Sequence, residues 1–241
     1  MAIKAVLFDL FDTLLIIKKN HDFYSPSLTR MYKFLNQNGI DVSLEKFQEA
    51  HAKARDQLYA KADLNLEEPH FKVRLALTLK LLGYNCDASS PLLAAACAEW
   101  CQEFLKFVDP DKDAEPLLRS LCDRYKLGIV SNYAIPECAD TLLAKYGLTN
   151  LFGTVIVSGA VNKRKPSPKI FKRALNELGV SAGEAVFVGD TLDADVEGGK
   201  SAGMKAIYIK RRDERPVETV VPDFTVTSLA EIPPILQKLR T

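Results

Sequence analysis

Short apolar segments recur along the chain with helical segments between them, and this alternation constrains the fold more than any other feature. The segments are rich in valine and isoleucine and apolar on both faces, as strands buried between two helical layers are. They cover residues 3–8, 126–130, 154–157, 185–188, 206–209 and 224–226, with helical patterns near 137–146, 167–178, 193–202 and 229–239. Alternating strands and helices predict an α/β fold whose core is a doubly wound, Rossmann-like parallel sheet.

The stretch from about 17 to 110 interrupts this rhythm with four amphipathic helical patterns and no convincing strand. The patterns lie near 26–38, 43–62, 69–83 and 90–107. Ser43 is suited to cap the second of them, and Gly39 and Gly83 are suited to end the first and third. We therefore expect a core formed by residues 1–16 and 111–241 and a four-helix cap domain formed by residues 17–110. A cap joined at this point lies over the carboxyl ends of the strands, where it can exclude water from a site.

Four clusters of polar residues lie at the ends of apolar segments. Three follow their segment directly, and the fourth follows after a loop. The clusters are Asp9-Leu10-Phe11-Asp12-Thr13, Ser131-Asn132, Lys165-Pro166, and Gly189-Asp190 followed by Asp195. In open α/β sheets, ligands bind in the crevice beyond the carboxyl ends of the strands. The four clusters are therefore expected to form one site.

Composition excludes several other kinds of function. The 241 residues are 47% hydrophobic and 26% charged with a net charge of +1, so bulk electrostatics do not favour nucleic acid or a membrane surface. No apolar segment is long enough to span a bilayer, and the start of the chain does not resemble a signal peptide. The cysteines at 86, 97, 101, 122 and 138 include no C-x-x-C pair and are expected to be buried free thiols. We expect a cytoplasmic protein, monomeric or homodimeric, that acts on a small molecule.

The residue types in the four clusters predict a specific chemistry. Asp9 ends a buried strand and is suited to act as a nucleophile, and Lys165 can pair with it and with an anionic substrate. Ser131 and Asn132 can donate hydrogen bonds to phosphoryl oxygens. Convergence of Asp9, Asp190 and Asp195 would be costly without a divalent cation such as Mg²⁺. Asp193 also lies in this segment, although capping of the next helix explains it equally well.

The order of these motifs, with the helical segment after the first, resembles the haloacid dehalogenase (HAD) superfamily of hydrolases, in the subfamily with a helical cap in the first insertion site. The resemblance implies a phosphatase that works through an aspartyl-phosphate on Asp9, with Thr13 in the catalytic motif. It also implies that Mg²⁺ binds Asp9, Asp190 and the backbone carbonyl of Phe11, supported by Asp195.

One position departs from the phosphatase pattern. Phosphatases of the superfamily usually carry an acid two residues after the nucleophile, where this chain has Phe11. Loss of such an acid typically costs about 10²–10⁴ in rate. Dehalogenating members carry an aromatic there and need no metal, so a metal-independent 2-haloacid dehalogenase is the main alternative. A catalytically weak phosphate- or partner-binding protein is a further one.

We expect Asp12 not to replace the missing acid, because neighbouring positions in a turn point in different directions. Other residues that could reach the crevice from the cap are His21, His51, His70, Arg30, Arg55 and Tyr24. Of these, His21 is the best candidate for a substitute acid because it follows the first motif.

Overall fold

The structure is a computed structural model that describes residues 2–18, 22–211 and 220–239. Its strands are β1 (Ala5–Phe8), β2 (Leu15–Ile17), β3 (Val108–Pro110), β4 (Lys126–Ser131), β5 (Thr154–Val157), β6 (Ala185–Gly189), β7 (Lys205–Ile209) and β8 (Phe224–Val226). Six of these strands form one sheet in the order β5-β4-β1-β6-β7-β8, and every neighbouring pair is parallel. The predicted α/β fold with a parallel, Rossmann-like sheet is confirmed.

Helices cover the sheet, and several of them lie in the chain segment between the sheet strands β1 and β4. They are α1 (Tyr24–Gln37), α2 (Leu44–Ala62), α3 (Phe71–Leu81), α4 (Pro91–Phe104), α5 (Ala114–Leu121), α6 (Pro136–Lys145), α7 (Ser158–Val161), α8 (Pro168–Leu178), α9 (Gly198–Ser201) and α10 (Ile232–Lys238), with a π-helical turn at Leu192–Glu197. Helix α5 and the short α7 were not predicted, whereas the four helices between residues 24 and 104 lie where the amphipathic patterns placed them.

Strand β1 lies at the centre of the sheet, and its position organises the molecule. Phe8 pairs in register with Ile129 of β4 on one side and Val188 of β6 on the other. The chain continues outward from β4 to β5 and from β6 to β8, so the strand order reverses at β1. Such a reversal opens a crevice at the carboxyl ends of the strands, and here that crevice begins at Asp9.

Alternate residues of the central strand pack into two separate hydrophobic layers. Val6 and Phe8 belong to the larger core cluster, and Ala5 and Leu7 belong to the smaller one on the opposite face. All four side chains are fully buried. This two-sided burial explains why the strand is uniformly apolar rather than alternating.

The segment α1–α4 (residues 24–104), called here the helical insert, joins the sheet through a ribbon that the sequence did not predict. Strands β2 and β3 pair antiparallel where the chain enters and leaves the insert, with Ile17 opposite Val108. The proposed domain boundary at 16/17 falls within this ribbon, and the one at 110/111 falls at its end. No helix in the described part of the chain is long and apolar enough to cross a membrane.

The expectation that all five cysteines are free thiols was wrong. Cys101 of α4 and Cys138 of α6 form a disulfide, with their Cα atoms 5.3 Å apart, whereas Cys86, Cys97 and Cys122 are free. The partners are 37 residues apart and belong to the insert and to a helix beside the sheet, so local spacing could not reveal the pair. The pairing removes free thiols as a reason to expect a reducing compartment.

Candidate active site

Three carboxylates meet at the carboxyl end of the sheet. Asp9 follows β1, Asp190 follows β6, and Asp195 lies on the π-helical turn, with one oxygen of each within 4.8 Å of the others. All three residues are buried. The predicted convergence of these side chains is therefore present, whereas their catalytic roles stay predictions.

Gly189 allows Asp195 to reach this position. A Cβ atom at Gly189 would lie 2.3 Å from the Asp195 carboxyl carbon, far inside any permitted contact. The second carboxylate oxygen, Oδ2, accepts a hydrogen bond of 3.0 Å from the Thr191 backbone N–H. The Gly-Asp-x₄-Asp spacing of the sequence thus corresponds to a strand end, a close approach and a helical turn that returns to the same point.

Lys165 lies between two of the carboxylates. Its ammonium is 2.5 Å from Oδ1 of Asp9 and 2.6 Å from Oδ1 of Asp195, and its side chain is only 3% exposed. Burial opposes the charged form, but the carboxylates of Asp195 and Asp9 outweigh it and raise the pKa of Lys165. The lysine is therefore a permanent cation within the acidic cluster.

The pKa of Asp9 shows that one lysine does not balance the cluster. Burial, the largest cause, raises the pKa of Asp9 to about 7, and the charges of Asp195 and Asp190 act in the same direction, against Lys165. Three ionised carboxylates carry more negative charge than the Lys165 ammonium alone can offset. A hard divalent cation that prefers oxygen ligands, such as Mg²⁺, fits this donor set.

Two of the predicted site residues have buried hydroxyl groups with no hydrogen-bond partner in the described part of the chain, and one of them, Ser131, lines the site cavity. Thr13 and Ser131 are almost fully buried, and their Oγ atoms have no hydrogen-bond partner among the described residues. Buried polar groups are normally hydrogen-bonded, so unpaired hydroxyls beside a cavity are suited to an incoming ligand. Ser131 lines a cavity of about 170 Å³ together with Asp9, Lys165 and Asp190.

Comparison with known proteins identifies the family. A family model described as haloacid dehalogenase-like hydrolase matches residues 3–203. A glyceraldehyde 3-phosphate phosphatase from Methanopyrus kandleri is 30% identical over 242 residues, which cover 98% of each protein. The chain belongs to the haloacid dehalogenase-like hydrolase family. It is therefore a hydrolase, as the motifs predicted.

Solved structures agree with this assignment to the HAD family. The crystal structure of a HAD phosphatase from Thermococcus onnurineus is 30% identical, with a TM-score of 0.67 over 99% of this chain and 100% of the other. A 2-haloacid dehalogenase from Pseudomonas syringae pv. Tomato has a TM-score of 0.71 at 23% identity, over 98% of this chain and 99% of the other. At that identity the second likeness supports the shared HAD fold alone.

Phe11 and Asp12, where this HAD-family chain departs from the phosphatase pattern, have structural partners. The Phe11 ring packs against Tyr133 and Phe104, with ring centroids 4.9 and 5.6 Å apart. Asp12 has a left-handed backbone with a φ of 56°, and its Oδ1 accepts a 3.1 Å hydrogen bond from the Ile17 N–H. Asp12 thus stabilises the turn into β2, and that it does not replace the acid stays a prediction.

Of the predicted residues that the structure describes, His51, His70 and Asp193 do not join the acidic cluster. His51 is buried in the insert, where Nδ1 lies 3.2 Å from the Thr78 hydroxyl. His70 lies between the insert and α6, with Nε2 3.1 Å from the Glu137 carboxylate. His21 lies outside the described residues. Asp193 is exposed and accepts a hydrogen bond from the Ala194 N–H, so it shapes the helical turn.

The insert contacts the loops that carry the site. The Phe71 N–H donates to the Ala134 carbonyl at 2.9 Å, just after Ser131-Asn132. The Arg164 N–H donates to the Leu66 carbonyl at 3.0 Å, directly before Lys165. Lys163 pairs with Glu67 at 3.4 Å. The basic residues beside Lys165 therefore bind the insert rather than forming an isolated surface patch.

Sequence reasoning missed a second cavity, of about 250 Å³, between the insert and the loop after β4. Aromatic rings dominate its lining, and Glu68 and Arg74 are the charged residues that line it. Arg74 is largely buried and lies in the apolar stripe of α3, three residues after Phe71 and one before Leu75. A charged residue within a buried helical stripe is the signal that could have revealed this cavity. Arg30 and Arg55, singled out earlier, instead form exposed pairs with Glu99 and Asp56.

Proposed function

We propose that this hydrolase is a Mg²⁺-dependent phosphatase that hydrolyses a small phosphate ester through an aspartyl-phosphate on Asp9. The observation that carries the proposal is the buried cluster of Asp9, Asp190 and Asp195, whose carboxylate oxygens lie within 4.8 Å of one another in an arrangement suited to a divalent cation. Relatives of the chain support the same class, since they include a glyceraldehyde 3-phosphate phosphatase and a phosphoserine phosphatase.

Asp9 has the position of a nucleophile. A carboxylate oxygen of Asp9 attacks phosphorus while the bond to the leaving oxygen breaks, and water then hydrolyses the acyl phosphate to release phosphate and regenerate Asp9. The first step requires the ionised carboxylate, and the 2.5 Å contact with Lys165 favours that form. The same ammonium offsets charge on the phosphoryl group as it approaches.

Other residues bind the phosphoryl group and the metal. The unpaired hydroxyls of Ser131 and Thr13 are suited to donate to phosphoryl oxygens. Asp9, Asp190 and the Phe11 carbonyl would hold Mg²⁺, and Asp195 would support the site through Lys165 and Thr191. When bound, the ion neutralises the excess negative charge and so permits an anionic substrate to approach. We further propose that the insert covers this site as a cap.

Phe11 determines the expected substrate preference. A phenyl ring cannot protonate the departing oxygen, so substrates with good leaving groups, such as aryl or acyl phosphates, are expected to react faster than sugar phosphates. An aromatic residue here is the observation that favours a second candidate, metal-independent dehalogenation. Three carboxylates without a metal would repel a haloacid, and for this reason we favour the phosphatase.

A substrate panel distinguishes these functions. We expect Mg²⁺-dependent hydrolysis of p-nitrophenyl phosphate that EDTA abolishes and Mg²⁺ restores, with slower turnover of glucose 6-phosphate. Asp9→Asn, which keeps the shape and removes the nucleophile, should be inactive. Halide release from 2-chloropropionate that persists in EDTA would identify a dehalogenase instead. An almost inert protein that gains large activity on Phe11→Asp substitution would favour the weak binding protein.

A further inference from the structure

Arg74 is a buried cation without a carboxylate partner in the described part of the chain. Its Nη2 donates to the Tyr24 hydroxyl at 2.8 Å and its Nε donates to the His51 carbonyl at 3.3 Å, both of which are neutral acceptors. The residue is only 8% exposed. Buried charges are costly unless they are paired, so an unpaired guanidinium at a cavity wall indicates an anion that arrives from outside.

Glu68, the other charged residue of this cavity, is engaged elsewhere. Its carboxylate accepts a hydrogen bond from the Tyr59 hydroxyl. The charges that act on Glu68 are those of Arg164 and Asp63. Burial raises the pKa of Glu68. In the described part of the chain, no hydrogen bond or ion pair joins Glu68 to Arg74.

The cavity has the shape and chemistry of a site for a flat organic group. Its lining includes the rings of Phe23, Tyr24, Phe71, Trp100 and Tyr133. Tyr24 and Trp100 meet edge-to-face at 5.1 Å, and Phe71 lies 5.1 Å from Trp100. A volume of about 250 Å³ accommodates a substituted benzene ring or a group of similar size.

The cavity lies next to the proposed catalytic site. Asn132 lines both this cavity and the smaller one around Asp9. Tyr133 lines the first and packs against Phe11, which lines the second. A phosphate ester whose phosphoryl group lies beside Asp9 can therefore extend its leaving group past Asn132 into this cavity.

Resting on the proposed phosphatase function, we propose that this cavity binds the leaving group of the substrate and that Arg74 pairs there with a carboxylate. The substrate class is then a phosphate ester, preferentially aryl or acyl, whose organic part carries a carboxylate on a compact, apolar skeleton. Arg74 is a specificity-determining residue in this assignment, because it contacts the substrate away from the reacting atoms.

The test compares two substrates that differ in charge but little in shape, 3-carboxyphenyl phosphate and 3-carbamoylphenyl phosphate. A charge-assisted hydrogen bond contributes enough for a ratio of kcat/KM of about 10–100 in favour of the carboxylate. Arg74→Met should bring that ratio close to one. Arg55→Met, which removes the same charge from the exposed face of the neighbouring helix, should leave the ratio unchanged.

The wild-type comparison decides the proposal even if Arg74→Met fails to fold. Hydrolysis of both aryl phosphates without preference for the carboxylate overturns the role of Arg74 and leaves the phosphatase function intact. Binding of the products provides a readout without turnover, since 3-hydroxybenzoate should raise the Tm more than 3-hydroxybenzamide. An inactive protein that still shows this difference would contradict the phosphatase function but support the carboxylate site, and equal shifts would contradict the site.

Discussion

The side-chain amide of Asn132 bonds to both main-chain polar groups of Lys165. Its Oδ1 accepts from the Lys165 N–H at 2.7 Å, and its Nδ2 donates to the Lys165 carbonyl at 3.0 Å. Asn132 follows β4 and Lys165 precedes α8, so this pair joins two loops at the carboxyl end of the sheet. The Asn132 side chain fixes the backbone of Lys165, and from that position the Lys165 ammonium contacts Asp9. Asn132 is thus a positioning residue for the proposed reaction.

Substitution of Asn132 by Ala should lower kcat for aryl phosphate hydrolysis by about 10- to 100-fold, since two hydrogen bonds of about 1 kcal/mol each are lost. When Lys165 is held less firmly, its ammonium lowers the pKa of Asp9 less. The acidic limb of the pH profile of kcat/KM should therefore move to higher pH. Asn38→Ala, at an exposed asparagine of the insert, is the control. A reduced rate with an unmoved acidic limb would contradict the positioning role.

Replacement of Lys165 by Met should destabilise the metal-free protein by about 3–5 kcal/mol, because it leaves Asp9 and Asp195 buried without their cation. Urea unfolding in EDTA measures the loss, and Mg²⁺ should recover more stability in the variant than in the wild type. Lys106→Met removes an exposed pair with Glu103 and should cost about 1 kcal/mol or less. Equal losses for the two variants would show that the buried ion pairs contribute little.

The stability of the protein should fall in mild acid because of His51. Burial, the largest cause, lowers the pKa of His51 to about 2, against an ordinary value of 6.5. Below pH 6.5 the unfolded chain therefore binds a proton that the folded protein excludes, so unfolding becomes easier as the pH falls. Through His51, the free energy of unfolding should fall by about 2 kcal/mol between pH 6.5 and 5.

His51→Phe should remove this part of the pH dependence while keeping a ring beside Phe47 and Phe71. Urea unfolding across pH 5 to 8 is the measurement. Thr78→Val keeps the imidazole and removes its 3.2 Å contact together with the hydrogen bond from the Thr78 hydroxyl to the Arg74 carbonyl, so the pH dependence of its stability should run parallel to that of the wild type. If the stability of His51→Phe and of the wild type changed with pH in the same way, His51 would be excluded as the origin of the pH dependence.

Loss of the disulfide between Cys101 and Cys138 should destabilise the protein by roughly 4 kcal/mol, the chain-entropy value for a loop of this length. Cys138→Ser unfolded in urea without reductant gives the loss, and reductant should bring the wild type close to the variant. Cys122→Ser, at a free and half-buried cysteine, is the control. A wild type that is insensitive to reductant would contradict a stabilising disulfide.

Much of the fold was predictable because it depends on local periodicity. The apolar segments became β1 and β4 to β8, and the amphipathic patterns became α1 to α4. The β2–β3 ribbon was missed because each strand has three residues and its partner lies about 90 residues away. Such short strands carry too little periodicity to be recognised without that partner.

In the candidate site, too, some features followed from local sequence and others depended on distant segments. Strand order in a parallel sheet brings Asp9, Ser131 and Asp190 to one edge, so their proximity followed from sequence. The bonds of Asn132 to Lys165 and the unpaired charge of Arg74 depend on side chains from distant segments. The contact between Asn132 and Lys165 leaves no pattern in the order of residues around it, and Arg74 leaves only its place in the apolar stripe of α3.

The amino-acid sequence by itself determined the alternation of strands and helices, and with it the edge of the sheet at which the acidic residues gather. Hydrophobic periodicity and strand-end position are local properties, so they can be recognised along the chain. Only the tertiary structure decided which cysteines pair, which hydroxyls remain unpaired and which cavity surrounds Arg74. Those outcomes depend on the packing of the insert against the sheet, since each one requires groups that are far apart in sequence to meet within a few ångströms.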